Sequence, residues 1–357
     1  MLRTIGLMSG TSLDGVDAAW LETDGHEIHS FGPSLTLPYD AALRRDLRAI
    51  LDLAPTLDAD NDQLADATDR LTTYHVQAVE AIRRPADLIG FHGQTILHQP
   101  HLRRTWQIGD ATMLARRTGL PVAFDFRSAD VAAGGQGAPL APVYHAALAR
   151  DLPKPLVVLN IGGVANATWI GRDGSLVAFD TGPGNGPLDD WAARHTGARY
   201  DRDGCLARSG RPDKLVLDRM LSHPYFGRPA PKSLDRLDFD ALFAESGISN
   251  LSAADGAATL AAFTVASIVC ARFPENPVRW IVCGGGRHNP VVMDALRSSI
   301  HVPVDPAEAV SWDGDGLEAQ CFGFLAVRVK YALPLSFPET TGARKLVTGG
   351  RIVSATD

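Results

Sequence analysis

Asp180 closes the apolar run SLVAFD and is followed at once by TGPGN, so an acidic side chain stands where a strand gives way to a Gly-Pro-Gly turn. A carboxylate held at a strand end can serve as a general base toward a hydroxyl or a water. Its competing use is to cap the helical segment NGPLDDWAARH, together with Thr181. Asn185 stands nearer the start of that segment. The sequence therefore predicts that Asn185 caps the helix and that Asp180 is left for chemistry.

Three glycine-rich turns follow apolar runs. The first spans Gly10, Thr11, Ser12, Leu13, Asp14 and Gly15 and leads into Val16 and Asp17; the second is Gly162-Gly163; the third is Gly284-Gly285-Gly286. Glycine lets backbone N–H groups approach a phosphate closely, and Ser and Thr hydroxyls add donors. One such turn is often a plain hairpin, whereas three in corresponding positions point to a polyphosphate cradle. Neither G-x-x-x-x-G-K-[ST] nor G-x-G-x-x-G occurs, so the P-loop and the dinucleotide fingerprint are excluded. Asp14 and Asp17 have two open readings. They are an Asx turn residue and a solvent-facing strand residue, or carboxylates near a Mg²⁺ that keeps its water.

A second set of polar residues suits a sugar. FHGQT carries His92 and Gln94, WQIGD carries Gln107, and FDFRSADVAAGGQGAP carries Asp125, Arg127, Asp130 and Gln136. Amides and carboxylates serve sugar hydroxyls, and the Arg127 fork suits a carboxylate on the ligand. Each of these residues, taken singly, could equally satisfy local backbone. Glu318 opens the helical segment LEAQCFGFLAVRVK, where the helix dipole accounts for an acid and a sugar contact is the second reading. No H-x-x-x-H or H-x-H spacing appears, so no metal held by a protein ligand cluster is expected.

The elements that must position these residues repeat a plan. TIGLM, VDAAWLE and HEIHSF read as strands joined by the Gly-rich turn and by TDG. Two amphipathic helices follow, YDAALRRDLRAILDL and NDQLADATDRLTTYHVQAVEAIRR, then the strands ADLIGF and PVAFDFR. PLVVLNI, ATWI and SLVAFD repeat the strand hairpins. The long helix AADGAATLAAFTVASIVCARF and the strands RWIVC and HVPVD come after them. This is an α/β chain of two similar lobes, expected over residues 1–127 with a returning C-terminal segment (about 317–357) and over 128–316. A small-molecule cleft is expected between them. The similarity is one of order, not of a fixed period, which excludes a solenoid.

The 357 residues suffice for two lobes, and the net charge of −7 argues against a nucleic-acid partner. Cys205, Cys270, Cys283 and Cys321 lie far apart, as expected of unpaired thiols in a reducing compartment. No signal peptide and no membrane span is expected.

Taken together, GLMSGTSLDGVDAA, GFHGQT, QIGD, FDFRSADVAAGGQGAPLAP, NIGGVANAT, FDTGPGN, APKS, VCGGGRHN, LEAQCFGFLA and TTGA closely resemble 1,6-anhydro-N-acetylmuramic acid kinases. These segments run from residue 6 to residue 343. The resemblance implies the actin-like ATPase superfold, with ribonuclease H-like lobes, and a cytoplasmic homodimer. It implies that ATP and Mg²⁺ are used to open the internal 1,6-anhydro bridge with water and to phosphorylate O6. The products would be ADP and N-acetylmuramic acid 6-phosphate, an intermediate of peptidoglycan recycling. On this sequence, Gly10 to Asp17 would hold the ATP phosphates. Gly162-Gly163 and Gly284 to Gly286 would complete the nucleotide site, the latter nearer the adenosine. Asp180 would be the base, and Gln94, Gln107, Arg127 and Glu318 would grip the sugar. The segment after Ser233, LDRLDF, departs from the family pattern. Two other readings compete: a conventional actin-fold sugar kinase acting on a free hydroxyl, and a non-catalytic sensor using the same residues.

Overall fold

The structure is a computed structural model that describes residues 1–10, 12–234 and 239–356. It divides into two compact units, Met1–Arg150 with Gly316–Asp357, and Asp151–Asp315. The first unit thus runs past Arg127 to Arg150, taking in the SADVAAGGQGAP segment.

In the first unit, β1 (Leu2–Ser9), β2 (Gly15–Thr23) and β3 (Ile28–Pro38) form an antiparallel meander. On the other side of β1 lie β4 (Leu88–Gln99) and then β6 (Val122–Phe124), both parallel to it in turn. β5 (Arg104–Ile108) pairs with β4, and β12 (Arg351–Val353) closes the edge beyond β6. Alternation along β1 gives the sheet two different faces. Ile5 and Leu7 enter a core shared with α1 (Ala41–Leu53), α2 (Asp62–Ile82) and α3 (Ala111–Thr118). The PVAFDFR run yields only the three-residue β6, because Asp125 takes φ +58° and breaks the strand.

The opposite face of this sheet carries α12 (Leu317–Lys330), which packs on β1, β2 and β4. The fit requires glycine. A Cβ on Gly6 would overlap the Ala319 carbonyl, and one on Gly90 would overlap the Phe322 carbonyl. Gly323 of the helix faces Thr4 Oγ1 at 3.0 Å from where its Cβ would lie. Close backbone approach of helix to sheet is the physical reason for these three residues. Short helices α4 (Ser128–Ala132), α5 (Pro142–Leu148) and α13 (Pro338–Thr341) complete the unit.

The second unit repeats the arrangement with β7 (Leu156–Ile161), β8 (Val164–Ile170) and β9 (Leu176–Pro183) as the meander. β10 (Arg279–Cys283) and β11 (Val304–Pro306) continue in parallel on the other side of β7. Its helices are α6 (Gly186–Thr196), α7 (Cys205–Ser209), α8 (Lys214–Leu221), α9 (Asp240–Ser246), α10 (Ala253–Val269) and α11 (Pro290–Ser299). The Ala-rich α10 is buried along most of its length against α6, α7, α8 and α11. Both sheets therefore share one order, a central strand with an antiparallel pair on one side and two parallel strands on the other. That is the duplicated actin-like, ribonuclease H-like fold expected from the sequence. Among the described residues no helix is long and apolar enough to cross a membrane.

Candidate active site

Asp180 lies on β9, opposite Asn166 of β8. The ladder slips between Ala165 and Asn166, leaving Thr181 as the extra residue of a bulge. Bulges re-aim side chains and recur beside active sites. The Asp180 carboxylate reaches away from the α6 segment: its Oδ2 accepts the Leu234 N–H at 2.8 Å. Asn185 occupies the N-cap position of α6, as expected, but its side chain makes no cap bond there. It donates instead to the Ile161 carbonyl at 3.2 Å. The expectation that Asn185 caps through its side chain is corrected: loop stapling takes precedence because the Ile161 carbonyl sits at the end of β7, where the ladder stops.

Around Asp180 the register aligns Asn166 with Asn160 of β7 and Asn160 with Cys283 of β10. Three polar residues thus form a row across the sheet. Gly162 and Gly163 follow Asn160 and are held by main chain: Asn185 N donates to Gly162 O at 2.7 Å, and Gly184 N to Gly163 O at 3.0 Å. Gly284 has φ +75°, and a Cβ there would overlap Asn160 Oδ1. Gly286 packs on Ile161, and Gly285 faces Asn185 Nδ2 at 3.7 Å from a would-be Cβ. By contrast, no atom lies within 4 Å of where a Gly163 Cβ would stand. The second unit thus gathers three glycine turns, at 162–163, 184–186 and 284–286, around Asn160. From sequence, no role falls to the turn at 184–186, to Asn160 or to Asn166; six-residue spacing across a tight hairpin is the signal that pairs the two asparagines.

In the first unit, Thr11 lies outside the described residues. Leu13 adopts φ +57° and its N–H donates to Gly10 O at 3.1 Å, so the turn is tight. Leu13 and Val16 are fully buried. Ser12 is exposed and Gly15 packs on Leu37. Asp14 pairs with Arg44 of α1 at 3.5 Å, and Asp17 accepts the Thr36 hydroxyl at 2.6 Å. Both carboxylates are reachable by solvent, which suits a role through water as well as a turn role.

The four sugar candidates all fall in the first unit. Gln94 is fully buried; its Oε1 accepts from Ser9 at 2.5 Å and its Nε2 donates to Thr95 O at 3.1 Å. Gln107 Nε2 donates to Thr105 Oγ1 and Thr95 Oγ1 at 2.9 and 3.2 Å. Arg127 donates through Nε to His92 Nε2 at 2.9 Å and through Nη1 to Gly137 O at 2.7 Å. A nitrogen that accepts from Arg127 must be unprotonated, so His92 carries its proton on Nδ1, which donates to Gly93 O at 2.7 Å. Burial first, and the Arg127 charge second, hold His92 neutral well below the usual range. Glu318 is exposed in the first turn of α12. Asp130 is buried and spent on structure, accepting from Gly137 N at 2.6 Å, Thr341 Oγ1 at 2.7 Å and Ser336 Oγ.

Comparison with known proteins decides which chemistry this is. The sequence model described as anhydro-N-acetylmuramic acid kinase matches residues 2–355. This chain belongs to the anhydro-N-acetylmuramic acid kinase family. Relatives of that name agree with it over nearly their whole length. The protein of Acidiphilium cryptum is 61% identical over 352 residues, 99% of this chain and 98% of that one. The protein of Rhodospirillum rubrum is 54% identical over 353 residues, 97% and 92% of the two chains. The protein of Gluconobacter oxydans is 53% identical, covering 99% of this chain and all of its own. Membership makes this chain an enzyme, a kinase of cell-wall recycling. Among the described residues no cluster of three His, Cys, Asp or Glu could hold a metal. A Mg²⁺ carried largely by substrate phosphates and water needs no such cluster.

Proposed function

We propose that the enzyme opens the 1,6-anhydro bridge of 1,6-anhydro-N-acetylmuramic acid with water and transfers the γ-phosphoryl group of ATP to O6. Asp180 is the general base of this reading. It takes a proton from the water that attacks the anomeric carbon, and the anomeric carbon–O6 bond breaks. O6 accepts the phosphoryl group where an ordinary glycosidase would supply a proton, so one carboxylate suffices. The products are N-acetylmuramic acid 6-phosphate and ADP. The observation that carries the proposal is the Asp180 carboxylate, set by a bulge and held by the Leu234 N–H. A backbone N–H donated to a carboxylate favours its charged form, the form a base needs.

The residues present suit a nucleotide. Gly163 has open space where a side chain would stand, and Gly184 and Gly284 have none, so backbone and not side chains lines these turns. In this reading Gly162-Gly163 and Gly284 to Gly286 hold the nucleotide in the second unit, the latter near the adenosine. Gly10 to Asp17 hold ATP phosphates in the first, with Asp14 or Asp17 reaching Mg²⁺ through water. When bound, Mg²⁺ neutralises charge on the transferring phosphoryl group. Arg127, Gln107 and Glu318 contact the sugar, with the Arg127 guanidinium fixed by His92 and Gly137 before any ligand arrives. Gln94 supports the turn from below through Ser9. The family resemblance also carries a cytoplasmic homodimer with it.

Asp180→Asn tests the base assignment. The expected outcome is loss of sugar phosphorylation by at least about a thousandfold, with ATP binding kept, as for removal of an essential base. Near-normal phosphorylation by this variant would reject the assignment.

A further inference from the structure

Among the described residues β9 is the edge of its sheet, with no strand paired to its outer backbone groups. At Asp180 that edge is covered by two other residues. The Asp180 N–H donates to the Lys232 carbonyl at 2.9 Å, and the Asp180 carbonyl accepts the Tyr225 hydroxyl at 2.6 Å. With the Leu234 N–H on Oδ2, the main-chain donor, the main-chain acceptor and the carboxylate of one residue are all held. The holding residues come from 45 to 54 positions further along the chain.

Tyr225 and Lys232 also hold each other. Lys232 Nζ donates to the Tyr225 carbonyl at 2.9 Å and lies 4.4 Å from the Tyr225 ring centroid, in cation–π range. Tyr225 is buried, with its ring against Phe226 and Phe239 at 5.9 Å each. Burial, then repulsion from Arg228, lowers the Lys232 ammonium from its usual range, and Asp180 pulls it back up. The other titratable group acting on Lys232 is Cys270, at the end of α10. A half-buried ammonium is costly, and this one is held on Tyr225, whose hydroxyl in turn holds Asp180.

We propose that Tyr225 and Lys232 are positioning residues for Asp180: the hydroxyl and the lysine carbonyl fix its backbone, and the ammonium holds Tyr225 in place. This rests on Asp180 being the base. It assigns a task to the APKS segment, whose continuation at residues 235–238 lies outside the described residues.

The test uses the full-length enzyme and the variants Tyr225→Phe, Lys232→Met and Lys232→Arg, with Asp180→Asn measured in parallel. Tyr225→Phe removes one oxygen and Lys232→Met one charge. For each, kcat is expected to fall about tenfold or more while KM for ATP stays within about twofold, as for a misplaced reacting group. Lys232→Arg is expected to restore most of the lost kcat. Unfolding temperatures are recorded alongside; if Lys232→Met does not fold, Tyr225→Phe decides. A kcat within about twofold for folded Tyr225→Phe and Lys232→Met, or a loss confined to KM for ATP, would overturn the proposal. Turnover by Asp180→Asn near the parent rate would instead reject the base assignment itself, whatever the other variants do.

Discussion

The turn after the first strand is built differently in the two sheets. In the second unit, main chain holds Gly162-Gly163: amides of Gly184 and Asn185 donate to its carbonyls, and the 284–286 turn packs alongside. In the first unit, side chains surround the turn. Ser9 is shared between Tyr39 and Gln94, Asp14 meets Arg44, and Asp17 meets Thr36. A turn clamped by main chain presents a fixed set of amides, a preorganised surface for an anion. A turn lined by side chains can place carboxylates and hydroxyls and respond to charge. The same supersecondary unit, duplicated, thus supports rigid backbone contact in one copy and adjustable side-chain contact in the other.

The units differ most in how they treat protons. The first buries His75, His92 and His145 and half-buries His98, whereas the second buries no histidine among the described residues. Burial pushes His75 and His98 down to about 4 and His145 to about 3, and His92 lies well below its usual range. These folded values lie under the unfolded one, so below it the unfolded chain binds more protons. Their stability is complete above about pH 6.5 and is lost as pH falls toward 4 and 3. At pH 5 each should cost ~1–2 kcal/mol. Hydrogen exchange at pH 5 against pH 7.5 should therefore show protection lost first in β1, β2 and β4. Equal loss in β7, β8 and β10 would break the contrast.

Gly284→Ala attacks the main-chain clamp itself. A left-handed φ and overlap with Asn160 predict a loss of ~1–3 kcal/mol in urea unfolding. Gly163→Ala sharpens the point because nothing stands near its added methyl. Stability should change by less than about 0.5 kcal/mol, while KM for ATP rises about tenfold if this backbone approaches a phosphate. Equal stability losses in the two variants would show that the turns are not built as described. The smallest effect is expected for Asp14→Asn. Its pair with Arg44 is half-exposed and 3.5 Å long, so unfolding should shift by less than about 1 kcal/mol. A larger shift would make the first turn as rigid as the second.

Most strands, the glycine turns and the repeat of one plan in both halves could be read from sequence because alternation and turn chemistry are local signals; β5, β12 and the order of strands within each sheet could not, because pairing partners lie far apart in the chain. Asp180 could be read from such a local signal, standing where an apolar run stops. Its supports could not. Tyr225, Lys232 and Leu234 reach it across 45 to 54 residues, and a backbone bond to an edge strand leaves no pattern in side-chain types. The polar neighbours of Gln94 are visible in sequence, whereas its burial and its bond to Ser9 depend on how β4 lies beside β1. Asn185 was correctly placed at the helix start, but competition from the Ile161 carbonyl drew its side chain away. Gly6 and Gly90 announce a close approach only once α12 is known to lie across them.

Hydrolytic opening coupled to phosphorylation is tested most directly by running the wild-type enzyme in ¹⁸O-labelled water with ATP and 1,6-anhydro-N-acetylmuramic acid, then weighing the product. A single phosphorylated sugar carrying one added water, with its ¹⁸O at the anomeric position, is the predicted result. A product that gains phosphate but no water would show that a free hydroxyl is phosphorylated and that Asp180 does not activate water.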